Sequence, residues 1–161
     1  MIRNVSDQEA RISGAVEHRR RLHLVPSRFV RTVRVLLEAD DDELRAVLGS
    51  ALRSDGYDVT VCSDGDALVD HLLAISEPSD FDLIIATIHD RAFHALQMLE
   101  RGDLLRNCPP LILLTEIANE NTRRLSERLG APLFDKQVDP DDLMTQVRRL
   151  APTARDVEEQ Q

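Results

Sequence analysis

The strongest constraint on the fold is an alternation of short apolar runs with segments of helical periodicity. From residue 33 onward there are five such runs, and in the stretch after each one apolar residues recur at helical spacing. Continuously apolar strands that alternate with helices are typical of a parallel sheet covered on both faces. The sequence therefore predicts an α/β fold with a doubly wound, five-stranded parallel sheet. The predicted strands are residues 33–37, 57–62, 81–87, 111–115 and 133–135.

The segments between these strands carry start and stop signals for helices. Asp41 or Asp42 is suited to cap the first helix, and Gly56 closes it. The run Ser63-Asp64-Gly65-Asp66 opens the second helix, and a third follows residue 87. The fourth helix is predicted over about 118–129 and the last over about 140–150.

Four polar residues fall at the carboxyl ends of predicted strands. Asp40 follows the first strand, Thr87 and Thr115 end the third and fourth, and Lys136 follows the fifth. Right-handed crossovers bring these strand ends to one edge of the sheet, where open α/β folds bind their ligands. We therefore expect the four residues to meet in one cleft.

Composition narrows the class of protein. The chain is 42% hydrophobic and 30% charged, which is typical of a globular domain. No run approaches the roughly 18 apolar residues that a membrane helix needs, and no apolar stretch follows the charged N-terminus as in a signal peptide. Cys62 and Cys108 match no metal-binding spacing and are expected to be reduced thiols. These features predict a cytoplasmic protein without membrane contact.

Charge is distributed unevenly along the chain. Residues 1–34 hold eight arginines and three acids, a net charge of about +5. Because the whole chain has a net charge of −9, the remaining residues carry about −14. Residues 1–31 are therefore interpreted as a basic N-terminal arm, partly disordered or with a short helix over about 6–21. Residues 32–152 form the predicted folded domain, and 153–161 a polar tail. The acidic body argues against nucleic-acid binding outside the basic arm.

Five short motifs occur in order along the chain: Leu44-Arg45, Asp64-Gly65-Asp66-Ala67-Leu68, Asp82-Leu83-Ile84-Ile85, Pro110 to Thr115, and Gly130-Ala131. Together they resemble the receiver domain of two-component response regulators, of the chemotaxis-receiver type. The resemblance spans about residues 33–150 and implies the flavodoxin-like or receiver-like (βα)5 fold. It also implies a phosphorylation cleft at the four strand-end positions.

This chain departs from the receiver pattern at two sites that the resemblance assigns to phosphorylation and metal binding. The resemblance places the phosphate-accepting aspartate at position 87, where this chain has Thr87. It places a pair of metal-binding acids at positions 39 and 40, where Ala39 leaves Asp40 alone. A threonine cannot form an acyl phosphate, and an unassisted alcohol is a poor nucleophile. Because Mg²⁺ needs carboxylate ligands, we expect metal binding through Asp40 to be weak or absent, and no other cofactor.

Without an acceptor aspartate, the remaining cleft residues are expected to bind one another. Lys136, the sole lysine beside 19 arginines, would pair with Asp40, while Thr87 and Thr115 would hydrogen-bond in the same cleft. Glu38 stands at a strand position that is apolar in receivers, so it either replaces the missing acid or pairs with a nearby arginine.

Two further acids and three histidines complete the set of candidates. Asp41 could assist Asp40 in holding a metal ion, and Asp90 could act as a displaced phosphate acceptor. The histidines share no ligand spacing on one helix and are expected to be surface residues rather than metal ligands. They are His71, His89 and His94.

These features favour a non-enzymatic signalling module. The main hypothesis is a degenerate receiver, or pseudo-receiver, that acts through phosphorylation-independent contacts with a kinase or an output protein. The expected contact surface is the fourth helix, fifth strand and fifth helix, whose mixed charges suit a homodimer. The alternative is a single-domain response regulator that still accepts phosphate at a non-standard residue in a phosphorelay.

Overall fold

The computed structural model describes residues 31–74, 80–101 and 108–160. The chain divides into two units, Met1–Arg31 and Thr32–Gln161, and the following sections concern the second. The predicted basic arm, with its helix over about 6–21, therefore lies outside the described residues. Among the described helices, none is long and apolar enough to cross a membrane.

Strands and helices alternate from residue 34 onward, as the apolar pattern predicts. The strands are β1 (Arg34–Glu38), β2 (Asp58–Cys62), β3 (Leu83–Thr87), β4 (Leu111–Thr115) and β5 (Leu133–Asp135). The helices that follow them are α1 (Asp42–Ser54), α2 (Gly65–Leu73), α3 (Asp90–Arg101), α4 (Glu120–Leu129) and α5 (Pro140–Leu150), with a short α6 (Ala154–Glu159) at the end.

The five strands form one parallel sheet in the order β2-β1-β3-β4-β5. This confirms the predicted doubly wound fold and places the switch in strand order between β1 and β3. The third strand begins later than predicted, at Leu83 rather than Phe81. The Asp82 side chain instead accepts a hydrogen bond from the Arg34 N–H at 2.8 Å, and the Phe81 ring lies 5.5 Å from the Arg34 guanidinium carbon.

The core consists of two apolar layers, one on each face of the sheet. Alternate residues of β1, β3 and β4 point to opposite faces, because successive side chains in a strand do so. One layer, between the sheet and helices α1 and α5, includes Leu37 and Ile85 of the strands and Val147 of α5. The other, between the sheet and helices α2, α3 and α4, includes Leu36 and Ile84 of the strands and Leu96 of α3.

Helix ends follow the local signals in the sequence. Asp41 caps α1 and Asp64 caps α2, each accepting a hydrogen bond from the backbone N–H three residues later. Gly130 ends α4 in the left-handed conformation with φ 62°, which a residue without Cβ adopts at little cost. At Gly65 the reason is different: an added Cβ would lie 2.6 Å from the Ala92 nitrogen, so glycine lets α2 approach the start of α3.

The end of the domain is held by two side chains that reach across the fold. The Tyr57 hydroxyl donates to the Ala151 carbonyl at 2.9 Å, and Arg148 contacts Asp55 Oδ2 through two nitrogens at 2.7 and 2.9 Å. Burial, with the negative charges of Asp156 and Asp55, raises the pKa of Tyr57 to about 12. Residues 154–159, part of the predicted polar tail, form helix α6.

Candidate functional site

The carboxyl ends of β1 and β3 carry two groups of polar side chains that touch each other. The first, called the inner cluster, consists of Glu38, Thr87 and His89. The second, called the outer pair, consists of Asp40 and Lys136. Because β1 and β3 are adjacent in the sheet and β5 lies two strands further along, residues distant in sequence meet here. The parallel topology thus assembles the site.

Glu38 is the centre of the inner cluster and is fully buried, with 0% of its surface exposed. Its Oε2 accepts hydrogen bonds from the Thr87 N–H at 3.0 Å and from the Thr87 hydroxyl at 3.2 Å. Its Oε1 lies 2.7 Å from His89 Nε2. A buried carboxylate is costly unless its oxygens are hydrogen-bonded, and here both oxygens have partners. This arrangement explains how an acid is tolerated at the end of a central strand.

Two expectations about this cluster require correction. Of the two alternatives for Glu38, pairing with an arginine is wrong, because its partner is His89. His89, expected on the surface, has a side chain only 22% exposed because it packs against Glu38. The burial of Glu38 explains both errors, because a buried acid requires a hydrogen-bond partner close to it, and the residue that provides this partner is itself partly buried.

Thr87 occupies the position that the receiver resemblance gives to the phosphate acceptor, and it is also fully buried. Its hydroxyl oxygen lies 3.2 Å from Glu38 Oε2 and 3.2 Å from Asp40 Oδ1, and the Asp40 N–H donates to it at 3.4 Å. The hydroxyl has a single proton and can donate to one carboxylate at a time. Thr87 therefore links the inner cluster to the outer pair.

The outer pair joins Lys136 Nζ to Asp40 Oδ1 at 2.9 Å, as the sequence predicts. It is more open than the inner cluster, with side-chain exposures of 17% for Lys136 and 40% for Asp40. Burial acts to raise the pKa of Asp40, but the hydrogen bond and charge of Lys136, helped by His89 and Thr87, outweigh it and leave the pKa below its ordinary value. Asp40 is thus held in its ionised form by the lysine.

The remaining predicted residues lie near this network without joining it by side-chain hydrogen bonds. Thr115 lines the cleft, and its hydroxyl donates to the carbonyl of Ile117, another cleft residue, at 3.0 Å. Asp41 is exposed and caps α1 through the Leu44 N–H. Asp90 is exposed at the first turn of α3.

A cleft of about 440 Å³ opens above the network. Asp40, His89 and Lys136 lie at its base, and Asp90 and Glu116 lie at its rim. The lining contains three carboxylates against one lysine, so the cleft has a negative bias. Such a bias opposes an incoming phosphoryl group unless a cation balances it.

The residues present do not fit the magnesium site that the receiver resemblance implies. Mg²⁺ requires oxygen ligands in near-octahedral geometry. Asp40 already contacts Lys136, the Asp41 carboxylate is used by the α1 cap, and the His89 carbonyl accepts the Phe93 N–H at 2.8 Å. Within the described residues no group of three or more histidine, cysteine, aspartate or glutamate side chains is arranged to hold a metal ion.

Comparison with known proteins gives structural matches alone. No family model matches the sequence, and no curated protein is similar to it at a significant level. Among solved structures, the chain is similar to the chemotaxis protein CheY4 of Vibrio cholerae, with a TM-score of 0.60, 20% identity, and coverage of 74% of this chain and 98% of that one.

Two further solved structures show the same likeness. A CheY-like response regulator receiver domain protein from Methanospirillum hungatei has a TM-score of 0.61 and 23% identity, over 73% of this chain and 92% of that one. The response regulator TrrA of Thermotoga maritima, solved in complex with Mg²⁺ and BeF, has a TM-score of 0.60 and 19% identity, over 74% of this chain and 99% of that one. The chain has the CheY-like receiver fold.

Sequence reasoning found the outer pair but missed the role of His89. The available signal was the lone acid in an otherwise apolar strand: such a residue requires a buried donor. His89 lies two residues beyond the end of the neighbouring strand, so the topology places it within reach. Searching the adjacent strand end for a donor would have identified it.

Proposed function

We propose that this chain is a degenerate receiver of two-component signalling that acts through protein contacts without being phosphorylated. The observation that carries this proposal is the state of Thr87. Its side chain is fully buried, its amide donates to Glu38, and its hydroxyl lies 3.2 Å from both the Glu38 and the Asp40 carboxylates. A residue held in this way supports the shape of the cleft and does not present a nucleophile.

The surroundings of Thr87 also oppose phosphoryl transfer on electrostatic grounds. Glu38 is positioned formally as a base for the hydroxyl, and an alcohol nucleophile requires one. However, Glu38 and Asp40 both lie within hydrogen-bond distance of the Thr87 oxygen. A phosphoryl group there would bring its negative charge against two carboxylates, of which Lys136 offsets one. The same argument disfavours an enzymatic role for the cluster.

The partner in this proposal is a signalling protein, either a kinase or an output protein, or a second copy of the chain. The candidate surface is formed by α4, β5 and α5. β5 is an edge strand of three residues, and the flanking helices carry exposed charges of both signs, which suits a self-complementary contact. Arg148 is excluded from these exposed charges because it contacts Asp55, the residue that caps the carboxyl end of α1.

Intact-mass analysis after incubation with acetyl phosphate and Mg²⁺ tests the central statement. We expect the native chain to gain no phosphoryl group. A positive control needs an acceptor carboxylate and a compensating change, because Thr87→Asp alone would place a third acid beside Glu38 and Asp40. The variant Thr87→Asp with Ala39→Asp and Glu38→Val restores the acidic pair and removes the buried competitor, and we expect it to be labelled.

Labelling of the native chain would contradict the proposal. Mapping the phosphate would then identify the alternative, a single-domain regulator with a non-standard acceptor. Asp90, which is exposed at the cleft rim, and Asp40 are the carboxylates to examine first. Asp90→Asn and Asp40→Asn would each be expected to abolish that label if the respective residue carried it.

Sedimentation of the native chain tests the homodimer. We expect a dimer whose population rises with protein concentration. Arg123→Glu, which replaces a positive charge on α4 with a negative one, should weaken the dimer. The same change at Arg53, which lies on α1, should leave it unaffected. A chain that remains monomeric at high concentration would remove the homodimer and leave a different signalling protein as the partner.

A further inference from the structure

A second depression lies between α3 and α4 and continues the cleft. Its volume is about 210 Å³, and Phe93 and Asn121 line both it and the 440 Å³ cleft. The two together form a trough from the carboxyl edge of the sheet along the groove between the two helices. We call this feature the α3–α4 trough. It differs from the α4–β5–α5 surface because it uses the side of α4 that faces α3.

The two ends of the α3–α4 trough carry opposite charge. At the cleft end, Asp90 and Glu116 are exposed at the rim. At the helix end, Arg124 and Arg128 line the depression, with side chains 61% and 58% exposed. A ligand that satisfies both ends must itself be charged positively at one end and negatively at the other.

The arginines at the helix end are available to a ligand despite having partners. Arg124 pairs with Glu120 one turn earlier in α4, and Arg128 Nε lies 3.6 Å from Glu100 Oε1 on α3. Exposed ion pairs of this kind contribute about 0–1 kcal/mol. A guanidinium can therefore turn to a carboxylate of a ligand at small cost, and its planar donors suit a carboxylate in two-point contact.

The middle of the α3–α4 trough presents apolar side chains beside Asn121, which lines both depressions. Phe93 is partly buried and lies where the two depressions join, and the buried Leu125 forms part of the floor beside it. Ile117, at the cleft end, is 72% exposed. Apolar surface between charged ends favours a ligand with an apolar group between its charges, since such burial is favourable at about 25 cal/mol per Å².

We propose that the α3–α4 trough binds an extended segment of a partner protein that carries arginine or lysine at one end, an apolar side chain in the middle and aspartate or glutamate at the other end. The cationic end lies against Asp90 and Glu116, the apolar side chain packs on Phe93, and the acidic end contacts Arg124 and Arg128. The inference rests on the proposed function, because it adds to the α4–β5–α5 surface a second contact site with a stated partner chemistry.

The opposite charges at the two ends of the α3–α4 trough favour this partner over other classes of ligand. A nucleic acid is repelled by Asp90 and Glu116 and by the net charge of −9 on the chain. A small anion would use the arginine end alone and would gain nothing from the apolar middle. A peptide segment with segregated charges is the ligand that uses all three parts of the α3–α4 trough.

Fluorescence anisotropy with two labelled peptides of identical composition tests the proposal on the full chain. The first, Arg-Arg-Gly-Leu-Gly-Ser-Glu-Glu, has segregated charges, and the second, Arg-Glu-Gly-Leu-Gly-Ser-Arg-Glu, has the same charges mixed. We expect the segregated peptide to bind at least about tenfold more tightly, a difference of about 1.4 kcal/mol. Equal binding of the two peptides, or no binding of the segregated one, would overturn the proposal.

Charge-reversal variants test whether the segregated peptide binds in the α3–α4 trough. Arg124→Glu with Arg128→Glu should weaken the segregated peptide about tenfold, whereas the matched control Arg53→Glu with Arg155→Glu, which makes the same change in net charge at exposed positions on α1 and α6, should not. The reversed variant should also bind Arg-Arg-Gly-Leu-Gly-Ser-Arg-Arg more tightly than the control variant does. Equal weakening by both variants, or no gain for the all-arginine peptide, would overturn the assignment.

The outcome is independent of the acetyl phosphate experiment. If the native chain is not phosphorylated and neither peptide is distinguished, the proposed function stands and the α3–α4 trough is not its contact site. If the segregated peptide binds as expected and the native chain is phosphorylated, the contact site stands and phosphorylation independence fails. Far-ultraviolet circular dichroism of each variant checks that it is folded.

Discussion

The inner cluster and the outer pair lie side by side, yet their carboxylates, those of Glu38 and Asp40, are held in different ways. Glu38 is completely buried, and its partners are Thr87 at the end of β3 and His89 two residues beyond it. Asp40 is 40% exposed and relies on one long lysine side chain. Water can replace a lost partner at the outer pair but not at the inner cluster. Stability is therefore expected to depend on the inner cluster far more than on the outer pair.

The two regions also differ in how much room they leave for a ligand. The outer pair lines the open cleft, whereas Thr87, at the position that the receiver resemblance gives to the phosphate acceptor, lies in a closed set of hydrogen bonds with Glu38. Buried polar groups in folded proteins are generally hydrogen-bonded in this way. Glu38 and Thr87 therefore belong to the core of the domain, and the outer pair belongs to the cleft.

Removal of His89 should have the largest effect. His89→Ala leaves the buried Glu38 without its partner at 2.7 Å, and a buried charge that loses its partner costs about 3 kcal/mol. Urea unfolding followed by circular dichroism measures the loss in free energy of unfolding. A change below about 1 kcal/mol would show that Glu38 finds water or another donor and would erase the contrast with the outer pair.

A double-mutant cycle sharpens this prediction. Glu38→Gln removes the charge and keeps an oxygen to accept the Thr87 N–H. In that background His89→Ala should cost about 1 kcal/mol, because an unpaired buried amide is less costly than an unpaired carboxylate. A cost equal to that in the native chain would show that His89 acts through packing and not through Glu38.

Removal of the Thr87 hydroxyl should have an intermediate effect. Thr87→Val keeps the shape of the side chain and the backbone N–H bond to Glu38, but removes one of three hydrogen bonds to the carboxylate. We expect a loss of about 1 kcal/mol in the free energy of unfolding. Thr87→Ser, which keeps the hydroxyl and loses a methyl group, is the matched control. A larger loss for the serine variant would assign the role of Thr87 to packing.

Disruption of the outer pair should have the smallest effect. Lys136→Met should lower the free energy of unfolding at pH 7 by less than about 1 kcal/mol, because Asp40 is substantially exposed. A loss comparable to that of His89→Ala would invert the comparison between the two regions.

The pH dependence of this small difference has a defined sign. The pKa of Asp40 in the folded chain lies below its ordinary value of 3.8, with Lys136 the main lowering influence. The stabilisation is therefore complete above pH 3.8 and is lost as the pH falls through the lower folded-state pKa. The gap between native and Lys136→Met unfolding free energies should close on acidification. A gap that widens below pH 3.8 would contradict the pairing.

The main errors of the sequence analysis fall within the cleft. Five apolar runs and their capping residues were enough to predict the sheet and its helices, because hydrophobic periodicity and caps act locally. Topology then placed Asp40, Thr87 and Lys136 together. The pairing of Glu38 with an arginine and the surface location of His89 were predicted incorrectly, since each depends on which neighbour a side chain meets after packing.

The sequence by itself determined the parallel α/β architecture, the convergence of the strand-end residues and the presence of a hydroxyl rather than a carboxylate at position 87. These follow from chain connectivity and from the chemistry of single residues. Only the tertiary structure decided that Glu38 pairs with His89, that Thr87 is closed off, and that Phe93 joins two depressions into the α3–α4 trough. Those features depend on distances between elements far apart in the chain, and the cost of an unsatisfied buried charge selects among the contacts those distances allow.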